Sequence, residues 1–389
     1  MELHRPRAAR PAGAPRRTLG AGARPLFPPA RGAAPPRAVA RGNGVPDPAI
    51  ELVNGAVTSG PDLSVEVNGL KLPNPFVIGS GPPGTNLQVM RKAFEEGWGG
   101  VICKTLSLDA AKVVNVTPRY AKLRDGSGAV FGWENIELIS DRPFETMLAE
   151  MRQLKQEFPD RVLIASIMEE ISRQVCGWAN AVATKPVWAK MTPNITDISV
   201  PALAALNAGC EGVAAINTIQ SVMGINLDTL RPEPAVEGHT TPGGYSYKAV
   251  KPIALAKVMA ISKAMAASGH TARGASLSGI GGVDSGADAA EFILLGADTV
   301  QVCTGVMIHG YPVVKNYCAG LQSFMRKHGF NSISEFRGAS LPYFTTHSDL
   351  VARQRAALAA KKARVGLAND AEWSGEDFVA NAESMVANR

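Results

Sequence analysis

GGVICKT at 99–105 and PVWAKMTPN at 186–194 are apolar, strand-like stretches that each end in a lysine, Lys104 in the first and Lys190 in the second. An ammonium is costly to bury without a partner. A lysine at the carboxyl end of an apolar strand, found twice, points to an anionic group at a shared rim. In a parallel α/β barrel that rim is where the active site forms.

Working outward, five more apolar runs follow the same pattern: FVIGS (76–80), VLIASIM (162–168), GVAAIN (212–217), SLSGIG (276–281) and TVQVCT (299–304). Helical patterns fall between them, over 86–96 with Asn86 as N-cap and Gly97 as stop, and around 143–157, 171–183, 199–208, 250–268 and 285–295. Apolar strands alternating with helices mean an α/β fold with a parallel sheet covered on both faces. Long excursions at 105–140 and 220–248 follow individual strands, which favours a TIM-type (β/α)8 barrel. A doubly wound open sheet is the other architecture this alternation allows. A closed barrel needs eight strands, and the sequence supplies seven. Only residues 169–185 lie between VLIASIM and PVWAKM, room for one helix, so one βα unit, the fourth, is missing. The stretch from Asp62, DLSVEVNGLKLPNPF, alternates like a short hairpin or lid leading into the barrel. The barrel is expected over 62–325 and a helical extension over 326–389, in which RQRAALAAKKARVG (353–366) reads as a solvated basic helix.

Of 389 residues 46% are hydrophobic and 19% charged, an ordinary globular composition, and no apolar stretch is long enough to span a bilayer. Residues 1–42 hold nine arginines and one acid, Glu2, an excess of +8; against a chain total of +6, about −2 is left for the rest. The basic charge therefore belongs to the leader, and no basic stripe interleaved with aromatics invites nucleic acid. The leader, 1–45, is rich in Arg, Ala, Pro and Gly and has no secretory apolar core. It reads as an organelle transit peptide, plastid or mitochondrial, although no serine precedes Ser59; a disordered tail is the alternative. Cys103, Cys176, Cys210, Cys303 and Cys318 form no CxxC pair, which argues against a disulfide framework or an internal iron–sulfur cluster. The six histidines show no HExxH spacing, so no metal is expected.

In SGIGGVDSGADAAEF (278–292), Gly281 and Gly282 lie between a strand and a helix, where exposed amides and the helix start cradle phosphate; a plain tight turn is the other reading. QVCTG (301–305) adds the amides of Cys303 and Thr304, and loops after the last two strands of such barrels often bind phosphate. Lys104 and Lys190 would then face the body of a phosphorylated cofactor, and a lysine at a flavin's pyrimidine edge stabilises the anionic reduced ring. A Schiff-base lysine and a salt bridge inside the barrel are the competing readings. Asn135 in WENIELIS, and Asn217 with Thr218 in AAINTIQS, suit a neutral planar ring with carbonyl and N–H edges, or simply make turns.

NPFVIGSGPPGTN (74–86), VICKTLSLD (101–109), VNVTPRY (114–120), WENIELIS (133–140), WAKMTPNITDI (188–198), INTIQSVMGIN (216–226), TPGGYS (241–246), SGIGGV (278–283), QVCTGVM (301–307) and RGASLPYFTTH (337–347) occur in this order. Together they resemble the dihydropyrimidine dehydrogenases, which belong to the dihydroorotate dehydrogenase-like FMN barrels. The match is best to the short, plant-type form and the flavin domain of the bacterial enzyme. The resemblance implies an FMN-bearing (β/α)8 barrel that reduces uracil and thymine at the 5,6 double bond. NADPH is the implied electron source, acting directly or through a partner protein, and a plastid location and a homodimer are expected. Carried over by motif, Gly79 and Ser80 would meet the flavin at the end of the first strand, with Lys104 and Lys190 against its ring. Gly281, Gly282, Cys303 and Thr304 would hold the phosphate. Asn135, Asn217 and Thr218 would bind the pyrimidine, and Ser246 would lie near both. One departure stands out. The family's fourth strand ends in Asn-x-Ser-Cys-Pro-His, whose cysteine is the general acid, and this chain passes from IASIMEE straight to ISRQVCGWANAV. No catalytic residue is therefore assigned, and activity of this chain is in question. An exon lost in reading the gene, a natural non-catalytic isoform that binds FMN or a partner, and an enzyme with another acid all fit, as does a dihydroorotate-type oxidation.

Overall fold

The computed structural model describes residues 49–107, 116–137, 139–167 and 173–365; the leader expected over 1–45 lies outside them. The body, Pro46–Phe344, is built on one parallel sheet. Its seven strands are β1 (Phe76–Ile78), β2 (Gly100–Ile102), β3 (Val162–Ile164), β4 (Trp188–Met191), β5 (Gly212–Ala215), β6 (Ser276–Ile280) and β7 (Thr299–Val302). The helices that cover it are α1 (Leu87–Glu96), α2 (Phe144–Glu157), α3 (Arg173–Val182), α4 (Ser199–Asn207), α5 (Lys251–Ala267), α6 (Gly286–Leu294), α7 (Thr304–His309) and α8 (Val313–His328). A ninth helix, α9 (His347–Val365), belongs to a separate unit and carries the basic stretch read from 353 onward.

Helix α1 shows how locally these elements are specified. The Asn86 side chain accepts the Val89 amide at 3.1 Å, a cap worth about 1 kcal/mol. Leu87, Met90, Ala93 and Phe94, at helical spacing, bury one face, and Gly97 closes the helix. Trp98, Phe76, Met147, Met191, Phe292 and Tyr317 sit in the same core, each buried side chain of this size contributing about 1.5–3 kcal/mol.

The order across the sheet is β4-β5-β6-β7-β1-β2-β3. The sheet is curled, since Ile164 of β3 and Trp188 of β4 pack against one apolar cluster of Val67, Leu72, Val77, Ile102 and Val162. The two free edges are thus β3 and β4, the strands between which the sequence lacks a unit. Among the described residues neither edge pairs with the other. Ile167, just past β3, is 68% exposed.

Of the hairpin or lid expected from Asp62, the structure gives the hairpin, formed by Val65–Val67 and Leu70–Leu72. Asn68 at its tip accepts from Trp188 Nε1 (2.8 Å) and Ser276 Oγ (2.6 Å) and donates to the Glu211 and Gly274 carbonyls. All of these belong to the amino ends of β4, β5 and β6, so the hairpin plugs the opposite mouth. Packing also begins before Asp62, because Ile50, Leu52 and Val57 lie against the core and Asn74 donates to the Gly55 carbonyl at 2.7 Å.

An unpaired parallel edge opens more readily than an interior strand. In hydrogen–deuterium exchange, the amides of β3, β4 and α3 should exchange well ahead of those of β6, β7 and β1. Equal protection across all seven strands would mean that the seam is closed in solution.

Candidate active site

The carboxyl ends of β1, β2 and β7 bring the first group of expected residues together. Gly79 donates its amide to the Val302 carbonyl at 2.9 Å. The Ser80 hydroxyl donates to the Cys103 carbonyl (3.0 Å) and lies 3.2 Å from Thr105 Oγ1 and 3.1 Å from Ser166 Oγ. Strands β1, β2 and β3 therefore each contribute one hydroxyl to a triangle. A side chain at Gly81 would run into Cys303 Sγ, which places that thiol at the same rim. Burial pushes Cys303 up to about 11, opposed by the positive charges of Lys190 and Lys104, so it is a neutral thiol.

Lys104 is buried and forms an ion pair with buried Glu137. Arg119 Nη1 approaches the other Glu137 oxygen at 3.1 Å, and the Tyr120 hydroxyl donates to it at 3.3 Å. Burial, joined by the Arg119 guanidinium, pushes Lys104 down to about 8, which still leaves it charged at neutral pH. Lys190 has no ion pair among the described residues, and burial lowers its pKa as well. The salt bridge weighed for both lysines thus exists for one of them. Glu137 escaped the sequence reading, although it lies two residues from Asn135 in the same motif.

The second group surrounds β6 and α7. Gly281 (φ 137°) and Gly282 (φ 77°) occupy backbone that disfavours other residues, and a Cβ there would meet Ala254 Cβ at 2.6 Å or the Tyr247 carbonyl at 2.8 Å. The amides of Gly281, Gly282, Thr304 and Gly305 donate to no described residue. At the start of α6 the Asp288 amide donates to Ser285 Oγ at 3.0 Å, so the donors left free at this turn are the Gly281 and Gly282 amides themselves. The Tyr317 hydroxyl, buried and without a hydrogen-bond partner, lies 2.8 Å from where a Cβ on Gly305 would stand. Ser246 Oγ is 2.9 Å from Thr304 Oγ1, which ties the excursion after β5 to this cradle. Free backbone donors and a buried hydroxyl at one turn fit a phosphate monoester.

The two long excursions, read as loops, form one antiparallel sheet at this rim in the order Ile219–Ser221, Gly243–Ser246, Val130–Asn135, Tyr120–Arg124. Asn135 pairs with Gly244, where a Cβ would meet Thr218 Oγ1, so Asn135 and Thr218 come together through the sheet. Asn135 Oδ1 accepts the Glu137 amide at 2.7 Å, and Asn217 Oδ1 accepts the Thr218 amide at 2.9 Å. Asn217 and Thr218 are exposed. Asn194, which the sequence reading passed over, donates to the Thr218 carbonyl (3.3 Å) and accepts from the Gln220 amide (3.0 Å). Among the described residues no cluster of His, Cys, Asp or Glu would hold a metal ion, and no helix is long and apolar enough to cross a membrane.

A curled parallel sheet with lysines and a phosphate-type cradle at its carboxyl rim defines an α/β barrel of the flavin-linked oxidoreductase class. In agreement, the Dihydroorotate dehydrogenase family profile matches residues 159–325. The chain is 58% identical to the chloroplastic dihydropyrimidine dehydrogenase (NADP(+)) of Arabidopsis thaliana, over 86% of this chain and 90% of the relative. It is 38% identical to the NAD-dependent dihydropyrimidine dehydrogenase subunit PreA of Escherichia coli K12, over 71% and 76%. It is 28% identical to the catalytic subunit of dihydroorotate dehydrogenase B (NAD(+)) of Pyrococcus abyssi, over 72% and 99%. The chain belongs to the dihydropyrimidine dehydrogenase family. The Arabidopsis alignment runs over 387 positions but takes in 86% of this chain, about 335 of its 389 residues, so about 52 positions are filled only in the relative. A barrel of about 250 residues averages about 31 per βα unit, so this interval is long enough for a whole unit with loops.

Removing one partner of a buried ion pair strands the other charge. Lys104→Met should destabilise the protein by about 3 kcal/mol in urea unfolding, and Lys104→Met with Glu137→Leu should cost clearly less than the two single changes summed. Additive losses would show that the pair is not formed.

Proposed function

We propose that this chain is the flavin-bearing body of a plastid dihydropyrimidine dehydrogenase, which reduces uracil and thymine at the 5,6 double bond. The observation that carries this reading is the gathering, at one rim, of Lys104, Lys190 and a cradle of free amides in a chain 58% identical to the Arabidopsis enzyme. FMN, when bound, supplies hydride chemistry. The amides of Gly281, Gly282, Cys303 and Thr304 would hold its phosphate, and Gly79, Ser80, Lys104 and Lys190 would lie against its ring. Asn135, Asn217 and Thr218 would orient the pyrimidine by its carbonyl and N–H edges, with Ser246 beside both. NADPH is the proposed electron source. The PreA and Pyrococcus relatives are named as subunits, which supports delivery through a partner protein. The arginine-rich, nearly acid-free leader and the chloroplastic relative support a plastid destination.

The proton is the difficulty. Reduction of the double bond needs a general acid, and this chain holds no Asn-x-Ser-Cys-Pro-His stretch. Cys103, Cys176, Cys210 and Cys318 are buried in the body, and Cys303 belongs to the phosphate side of the rim. Losing a general acid costs about 10²–10⁴ in rate. We place the interval that the relative alone fills at the seam between β3 and β4. An open seam also leaves the rim one strand short, so the loss should exceed that of the acid alone.

The test compares the chain as it stands with a version carrying the Arabidopsis relative's unit inserted after Met168. Both should bind FMN and turn yellow, and the inserted version should oxidise NADPH with uracil, given a reductase, at least about 10²-fold faster. Equal rates would show that another group supplies the proton, and turnover with orotate in place of uracil would move the chain to dihydroorotate chemistry.

A further inference from the structure

Three separate segments form the phosphate cradle: the turn after β6 (Gly281, Gly282), the head of α7 (Thr304) and the end of the antiparallel excursion (Ser246). One carboxylate, Asp284, reaches all three segments. It accepts from His309 Nε2 at 2.9 Å, at the far end of α7. It accepts from the Tyr247 hydroxyl at 3.0 Å, and Lys248 Nζ lies 2.8 Å from its other oxygen; both residues directly follow Ser246. Tyr247 is buried and holds a positive φ of 76°, and its carbonyl lies 2.8 Å from where a Cβ on Gly282 would stand. The Asp284 amide donates to Asp288 Oδ2 at 3.0 Å, and Asp288 is itself paired with Lys251. Burial pushes the Asp284 pKa up, but the hydrogen bonds and charges of His309 and Lys248 outweigh it and leave it lowered.

We infer that Asp284 is a positioning residue that locks the three segments into a cradle for the phosphate monoester of the cofactor, with His309 as its link to α7. The inference rests on the flavin reading above. Asp284 does not itself contact the phosphate, since two anions in contact repel; its charge is taken up by Lys248 and His309. What it supplies is the fixed spacing between the Gly281–Gly282 amides and the Thr304 amide.

A role confined to the phosphate separates two ligands that differ only there. In the full chain, FMN and riboflavin affinities are measured by quenching of flavin fluorescence. Asp284→Asn removes the charge and frees Lys248 and His309. It should weaken FMN about tenfold or more, because hydrogen bonds to charged groups are the strong ones, and change riboflavin by less than about twofold. His309→Ala, at a half-exposed position outside the core, should lower the FMN preference in the same direction, and His309→Gln, which keeps a donor, should restore much of it. Parallel loss of both ligands would mark Asp284 as a general support of the rim and overturn the inference, as would no change in either. If the unaltered chain binds riboflavin and FMN equally, the cradle does not read phosphate and the inference falls. If it binds neither, the flavin reading falls first and takes this inference with it.

Discussion

A parallel sheet has to satisfy its outermost strands, and that constraint governs this molecule. Every interior strand from β5 round to β2 gives its backbone groups to two neighbours, whereas β3 and β4 give theirs to one. Curling brings both edges onto the same apolar cluster through Ile164 and Trp188, but among the described residues backbone pairing does not join them. An uncovered edge is a liability in a soluble protein. The hairpin plug compensates at the amino mouth, where Asn68 fastens β4, β5 and β6 by their ends. At the carboxyl rim Ile167 stands exposed. The carboxyl rim is also where the chemistry is placed.

Charge at that rim is managed unequally. Lys104 is neutralised by Glu137, which reaches it from the segment beyond the antiparallel strands, while half-buried Lys190 has no ion pair among the described residues, and burial lowers its pKa. Of the two lysines, Lys190 is thus the one whose charge partner would come from the proposed ligand. Cys303, a neutral thiol beside Gly81, feels the positive charge of both lysines.

Much of the scaffold was legible in sequence, and for a local reason. The strands were apolar runs, the helices were periodic, and Asn86 and Gly97 marked ends by hydrogen bonds that close within a few residues. Helices predicted over 86–96, 143–157 and 285–295 appear at 87–96, 144–157 and 286–294. The missing unit was legible too, because a strand count needs no tertiary information. The excursions were not. Gly243–Ser246 has neither length nor period, and it becomes a strand because Val130–Asn135, over a hundred residues earlier, is there to pair with it. Glu137 and Asp284 were quoted inside motifs yet passed over, since an acid in a loop carries no signal until its cationic partners are known.

The sequence by itself determined an α/β alternation, seven parallel strands in chain order, an arginine-rich first stretch unlike the rest in composition, and family membership through motifs spread along the chain. Each is written in local periodicity or in residue type. The tertiary structure decided that the free edges are β3 and β4, that the early hairpin plugs the far mouth, that Lys104 is paired while Lys190 has no ion pair among the described residues, and that Asp284 joins α7 to Tyr247 and Lys248. Those outcomes depend on which distant segments meet, and backbone pairing and charge neutralisation across the barrel rim are properties of the assembled chain alone.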